Sequence, residues 1–397
     1  LLCTPIVRSP AGIEILFFPL CDKLFVLHRP MQKSCLQKLA YSLISTQVRQ
    51  AVKLRLFSSF GFGRQGFLIT LLTYLLILIG FVLLLGGGEF LVRGAVDLAH
   101  RLGVSPLVIG LTVVGFGTSA PELVASIKAV FNGAPGLAVG TVIGSNISNG
   151  LLVLGAAALI TPILCKREAF IRDGSMLLGA TLLTIVICIT SARITRWEGG
   201  LLFLLVIAFV VFSYYSDMKT KDAGAELHEA EAGVIDRIDG PIWKPLIVVI
   251  GGLIGVLFGA SLLVDNAIVL ARDLGVSDTV IGLSVVAIGT SLPELATALI
   301  AAFKRQADVA LGNVIGSNIF NLLGILGTTA LFKPIQMPDD ILSFDLWALL
   351  ATTVLLIVTA ISGWRFSRWE GALFLAVYAG YLTIVALPSL RATIGLL

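Results

Sequence analysis

The chain has 397 residues, 57% of them hydrophobic and only 13% charged, with a mean hydropathy of +0.99. A soluble domain carries roughly 25% charged residues, so the composition excludes a soluble globular protein and describes a multi-span helical membrane protein. The net charge of +4 is small and its basic residues are scattered along connections, leaving no nucleic-acid signature; the three histidines are far apart, and no CxxC occurs among the five cysteines, which argues against a His- or Cys-based metal centre.

Residues 1–66 carry nine Lys/Arg against two acids, Glu14 and Asp22. From Met31 to Gly66 there are six basic residues and no acid, a composition similar to an organellar transit peptide. It also fits a start site placed too far upstream, the reading favoured here. This segment is left out of the fold, and the GxGxxG in it, "GFGRQG" at 61–66, has no strand before it and is read as accidental. Ten apolar runs follow, each a candidate spanning helix: 67–90, 106–131, 137–161, 173–192, 197–215, 244–264, 278–303, 309–332, 344–363 and 368–388. Cys165 and Cys188 fall at the end of one run and inside another, as packing residues. The polar stretch 217–243 reads as a solvated linker between two halves, 67–216 and 244–397.

Those halves repeat. "GTSAPE" at 117–122 returns as "GTSLPE" at 289–294, "VIGSNISN" at 142–149 as "VIGSNIFN" at 314–321, and "RWEG" at 196–199 as "RWEG" at 368–371. The offset is 172 each time, and 103–155 against 275–327 gives 29 identities in 53 positions, far beyond chance. A unit of five spans has an odd number of crossings, so its second copy enters the membrane from the opposite side. The expected fold is all-α, ten transmembrane helices as two inverted five-helix repeats, with a substrate site near the bilayer midplane where the halves meet. From residue 68 on, one set of connections, the linker included, holds 13 Lys/Arg and the other set six. The positive-inside rule then places the linker in the cytoplasm. The basic residues 1–66 run against that orientation.

Glu122 and Glu294 each sit mid-span, where a carboxylate costs about 2.5–3.5 kcal/mol on insertion scales. No Lys or Arg in the same stretch neutralises either. Two such acids at equivalent positions ask for a mobile cation. Thr118 and Glu122 are four apart and share a helix face, as do Thr290 and Glu294, Ser145 and Asn149, and Ser317 and Asn321. Pro121 and Pro293 lack an N–H, so the carbonyls of Gly117 and Gly289 lose a helical partner and become further oxygen ligands. Ca2+ takes about six to eight hard oxygens, and Na+ accepts the same types. Asn146 and Asn318 are read as structural, holding neighbouring backbone. Glu89 and Arg93 are read as a local i,i+4 salt bridge, and Glu198 and Glu370, beside Trp197 and Trp369, as interfacial anchors.

These paired motifs resemble the two α-repeats of the calcium/cation antiporters, specifically the bacterial-type sodium/calcium exchangers, over about residues 68–390. The resemblance implies Na+-driven Ca2+ transport by alternating access across a bacterial inner membrane. Glu122 and Glu294 would be the central Ca2+ ligands, and Thr118, Ser119, Thr290, Ser291, Ser145, Asn149 and Ser317 would line the Ca2+ and Na+ sites. Some members carry Asp where this chain has Asn321, which leaves stoichiometry and K+ dependence open. Ca2+ and Na+ are then substrates; no cofactor, nucleic acid or protein partner is expected beyond the lipid bilayer. The alternative is a H+-coupled divalent cation exchanger. An intramembrane enzyme is disfavoured, because no His, Cys or Asp lies in the mid-span clusters.

Overall fold

Residues 65–191, 193–220, 238–274, 287–338 and 341–387 are described by the computed structural model. The expectations for residues 1–64, for the linker between 221 and 237, and for the start of the run at 278 lie outside the described residues. Helix α1 spans Gln65–Leu102. Helices α2, Pro106–Thr118, and α3, Ala120–Phe131, meet at a 42° bend. There follow α4, Pro135–Ile160; α5, Arg167–Ser191; α6, Arg196–Thr220; and α7, Trp243–Asp273. The chain continues with the short α8, Ala287–Thr290; α9, Leu292–Phe303; α10, Ala307–Phe332; α11, Ile341–Gly363; and α12, Arg368–Ala386.

Among the described residues eight helices are long and apolar enough to cross a membrane, or nine if α2 and α3 form one broken span. Helix α1 runs well past the expected end at residue 90, through the Gly86–Gly88 run. Those glycines weaken a helix in isolation, but here Gly87 packs on α7 and Gly88 on Ile300 of α9, and further glycines continue the contact with α7. A Cβ on Gly80 would stand 2.9 Å from the Gly259 carbonyl, one on Gly87 2.8 Å from the Gly252 carbonyl, and one on Gly94 3.1 Å from the Pro245 carbonyl. As the number rises on α1 it falls on α7, so the two helices cross antiparallel, backbone against backbone, as small residues permit in membranes. Helix α1 ends at Gly103, whose φ of +69° suits the left-handed cap.

The same close approach joins the halves elsewhere. Gly155 on α4 meets Gly371 on α12, and their repeat equivalents Gly327 and Gly199 join α10 to α6. Helix α2 lies on α10, where a Cβ on Gly316 would stand 2.1 Å from the Leu111 carbonyl oxygen. Two short ladders add strand structure that the sequence pattern does not signal. Strand β1, Ile163–Leu164, pairs antiparallel with β4, Arg365–Phe366, and β2, Arg193–Ile194, pairs with β3, Ile335–Gln336. Ile163, Ile194, Ile335 and Phe366 are each at most 1% exposed, so the ladders bury the apolar side chains that close the connections.

Two local readings change. Glu89 pairs with Lys304 at 2.6 Å, a residue of the other half, rather than within its own helix. Glu198 and Glu370 are helix caps. Glu370 completes a capping box with Ser367, and Glu198 accepts from the Thr195 amide and hydroxyl at 2.7 Å each. The pattern T/S-R-W-E is the capping sequence itself, and Trp197 and Trp369 are left 91% and 71% exposed. Both Cys165 and Cys188 are buried free thiols.

The glycine contacts give a direct test. Gly316→Ala forces the α2–α10 crossing apart and is expected to cost about 1–3 kcal/mol. Gly251→Ala, at an exposed position where a Cβ meets nothing within 4 Å, should gain up to about 1 kcal/mol from helix propensity. Thermal unfolding of the detergent-purified variants should move their midpoints in opposite directions.

Candidate cation-binding site

The site is built where helices interrupt themselves. Ser119 leaves helical geometry, at φ −85° and ψ 7°, and so does Ser291, at φ −93° and ψ 6°. Pro121 and Pro293 then fall in the first turns of α3 and α9, where a missing N–H costs nothing. The breaks therefore sit at the serines, two residues before the prolines. In α4 and α10 the helix is widened into π-helical segments, Asn149–Val153 and Phe320–Ile325. These hold Asn149 and its repeat equivalent Asn321. Such bulges recur at functional sites because they re-aim side chains without ending the helix.

Glu122, in the first turn of α3, is 1% exposed, and Glu294, in the first turn of α9, is 0% exposed. The two carboxylates lie within electrostatic reach of each other. Among the described residues the ion pairs lie elsewhere, joining Arg101 to Asp97, Lys166 to Asp308, Arg172 to Asp173 and Lys304 to Glu89. Ser119 Oγ donates to Glu294 Oε1 at 3.0 Å, so the first half reaches the acid of the second. Both oxygens of Glu122, Oε2 of Glu294, Oγ of Ser291, Oδ1 of Asn321 and both polar atoms of the Asn149 side chain have no hydrogen-bond partner among the described residues.

The remaining expected residues divide by role. Thr118 Oγ1 lies 3.2 Å from Asn313 Oδ1 and 3.3 Å from the Gly115 carbonyl. Ser317 donates to that same carbonyl at 3.0 Å, which ties α10 to α2. Asn321 donates to Ser145 Oγ at 3.2 Å and to Asn146 Oδ1 at 2.9 Å, leaving its own Oδ1 open. Thr290 is half-buried at the end of α8. Asn146 and Asn318 bond reciprocally, each amide donating to the other's carbonyl at 3.1 and 3.2 Å, so each holds backbone across the junction of the halves. Two buried carboxylates surrounded by hydroxyl and amide oxygens suit a hard cation and offer nothing to a soft one.

Sequence reasoning missed Asn313. It is fully buried, accepts from Thr118 and donates to the backbone carbonyl of Glu294 at 3.1 Å. Its signal was a break in the repeat: the equivalent residue of the first half is Thr141, whose hydroxyl turns back to its own helix at Leu137.

The family described as "Sodium/calcium exchanger protein" matches residues 72–215 and 244–387. The chain belongs to this family. The sodium/calcium exchanger MaX1 of Methanosarcina acetivorans is 33% identical over 342 residues, covering 79% of this chain and 98% of that protein. A solved structure of the sodium-calcium exchanger NCX_Mj, soaked with Na+ and Sr2+, superposes with a TM-score of 0.68 at 34% identity, over 79% of this chain and 99% of that one. A Ca2+/H+ antiporter, ChaA of Bacillus subtilis, is 27% identical over 69% of this chain and 81% of its own length. This chain is thus an integral membrane protein of an exchanger family whose relatives differ in the ion they couple.

Asn313→Leu removes the acceptor for Thr118 and a donor to the Glu294 backbone at once. Loss of such an outer contact typically costs 10–100-fold in metal affinity or activity. The half-saturating Ca2+ concentration in vesicle uptake should rise at least tenfold in Asn313→Leu. Asn313→Thr, which copies the first half, should fall between it and wild type.

Proposed function

We propose that the protein is a secondary antiporter that exchanges Na+ for Ca2+ by alternating access across a bacterial inner membrane. One observation carries this reading: two buried carboxylates, one from each repeat, share a site in which three of the four carboxylate oxygens lack a hydrogen-bond partner among the described residues. A single carboxylate held by hydrogen bonds could be structural. Two that repel each other, ringed by open oxygens, are too costly to leave ionised and uncompensated. Ca2+ supplies both charges; several Na+ ions supply them equally, and competition for one charged cavity is exchange. Glu122 and Glu294 are the central ligands in this reading. Thr118, Ser119, Ser145, Asn149, Thr290, Ser291, Ser317 and Asn321 complete the Ca2+ and Na+ shells.

The architecture we propose is ten helices in two inverted repeats. Its supports are the antiparallel course of α1 and α7, the first helices of the two halves, and the pairing of the ladders. Strand β1 precedes the fourth helix of its repeat and β4 follows the fourth helix of the other; β3 and β2 are their repeat equivalents. Such connections reach the same membrane face only when one repeat is inverted. The loop charges put β1 and β4 on the cytoplasmic side.

The coupling ion has a second candidate. The Ca2+/H+ antiporter relative favours a version in which the glutamates take up protons in place of Na+. Proteoliposomes separate the two: 45Ca2+ uptake should follow an imposed Na+ gradient at constant pH and ignore a pH gradient without Na+. The reverse dependence assigns the coupling to H+.

Removing one partner of a buried charge arrangement costs about 3–5 kcal/mol, which is roughly a hundredfold or more in affinity. Glu122→Gln and Glu294→Gln should each nearly abolish Ca2+ flux while the proteins still fold, because an amide is cheaper to bury than a carboxylate. Asn149→Ala should be milder, since water replaces a neutral ligand. Near-normal exchange in Glu294→Gln would return that residue to a structural role.

Topology has its own readout. Single cysteines at the exposed, repeat-equivalent positions Trp197 and Trp369 should react with an impermeant thiol reagent from opposite sides, Trp197→Cys from outside. Labelling of both from one side would rule out inversion.

A further inference from the structure

Away from the carboxylates, a cavity of about 440 Å³ opens at the end of the bundle that holds the α1–α2, α4–α5 and α9–α10 connections. Its wall brings together His100, Lys166, Arg305 and Gln306 from three separate parts of the chain. Asp308, the one acid in the wall, is already paired with Lys166 at 2.8 Å. Burial, with Asp308 and Glu370 nearby, pushes the thiol of Cys165 in the same wall up to about 12, so it carries no negative charge. The uncompensated charge of the wall is positive.

Two features of Arg305 and Gln306 go beyond a basic surface. Gln306 is only 8% exposed, and its side-chain amide forms no hydrogen bond among the described residues, not even as cap of the helix that follows it. It stands at the N-terminus of α10, whose first amides, at Ala307 and Asp308, line the cavity without an intrahelical acceptor. Arg305 holds a left-handed backbone, φ 57°, where its equivalent in the first half, Gly133, has φ 77°. The turn geometry calls for glycine, and the second half carries an arginine there. Strain of this kind persists where the side chain is needed. Its guanidinium has no partner among the described residues.

We infer that this cavity is a binding site for a phosphate-type anion, supplied by the head group of an anionic membrane phospholipid. Arginine, an open amide and a helix N-terminus are the donors a phosphate takes. The apolar flank of Pro106, Pro162 and Leu164, the last 62% exposed, fits an acyl chain beside the head group. A basic pocket between helices at the cytoplasmic side is where such lipids are held. The site is independent of which ion the protein exchanges.

The test is native mass spectrometry of the intact detergent-purified protein, titrated with phosphatidylglycerol and, separately, with phosphatidylcholine. Wild type should retain one phosphatidylglycerol at about tenfold lower lipid concentration than phosphatidylcholine. Gln306→Leu and Arg305→Gly should each lose that preference. Arg305→Gly also relieves the left-handed strain, so its melting temperature should hold or rise while retention falls; a merely structural arginine would lower both or neither. Equal retention of the two lipids by wild type, or unchanged preference in both variants, overturns the site. Displacement of phosphatidylglycerol by an equal concentration of inorganic phosphate overturns the lipid as its occupant.

Discussion

Two carboxylates with almost no exposure, at equivalent points of two repeats, set the terms for everything packed around them. Each would cost several kcal/mol to bury alone in a hydrocarbon layer, and together they repel. The fold answers with position rather than with a basic side chain. Each acid lies in the first turn of a helix, at the positive end of its dipole, just after a serine where the previous helix stops. Ser119 reaches across to Glu294, so the site belongs to neither half alone. In the proposed exchange a cation supplies the opposite charge, and the surrounding hydroxyl and amide oxygens would share it.

Placing polar groups at the centre of a membrane bundle requires helices that touch without bulky side chains between them. Glycine does this at four crossings where the halves meet: α1 on α7, α2 on α10, and the equivalent pair α4 on α12 and α6 on α10. Lipid tails are as apolar as leucine, so little hydrophobic force drives these contacts; close backbone packing and interhelical hydrogen bonds take its place. The reciprocal amides of Asn146 and Asn318 are such bonds, as is the hydroxyl pair of Thr181 and Thr353 at 3.3 Å. Each joins a residue to its own repeat equivalent, the signature of a local two-fold axis through the junction.

Much of this was legible in the sequence, and for a physical reason. Carboxylates, prolines and asparagines are so costly in an apolar run that their presence marks a site, and a repeat offset of 172 shows which residues must meet. The i,i+4 spacing of Thr118 and Glu122, and of Thr290 and Glu294, reads as a shared helix face, but the breaks at Ser119 and Ser291 put each pair on two successive helices. What spacing could not show was geometry set by other helices. The first apolar run reads as ending at residue 90 because charged and polar residues follow it, whereas α1 continues to Leu102 with Gly87 and Gly94 packed on α7. Glu198 and Glu370 read as anchors because of their neighbouring tryptophans, and the capping pattern that includes them was overlooked. Glu89 read as a local pair because Lys304 is distant in sequence. Asn313 breaks the repeat, with Thr141 at the equivalent position, so duplication does not mark it.

Those breaks matter in their own right. An exact inverted repeat would make the two end states of an alternating exchanger equivalent by a two-fold rotation and equal in energy, with the cation site opening to either side alike. Even in the most similar stretch, 103–155 against 275–327, many positions differ between the halves, and some of these differences change contacts around the site and at the ends of the bundle. Asn313 holds the end of α2 beside Glu294, whereas Thr141 holds only its own helix. Phe320 stacks on Phe116 with ring centroids 4.3 Å apart, where the equivalent of Phe320 is the small Ser148. At one end Lys166 and Asp308 form an ion pair; their equivalents at the other, Pro338 and Gly136, are in apolar contact so tight that a Cβ on the glycine would stand 2.8 Å from the proline ring. An ion pair that is partly exposed weakens with salt, while a packed proline does not. In the proposed exchange cycle the two closures therefore respond differently to the solutions they face, and a preferred direction of opening comes from such differences between the halves rather than from the duplicated site.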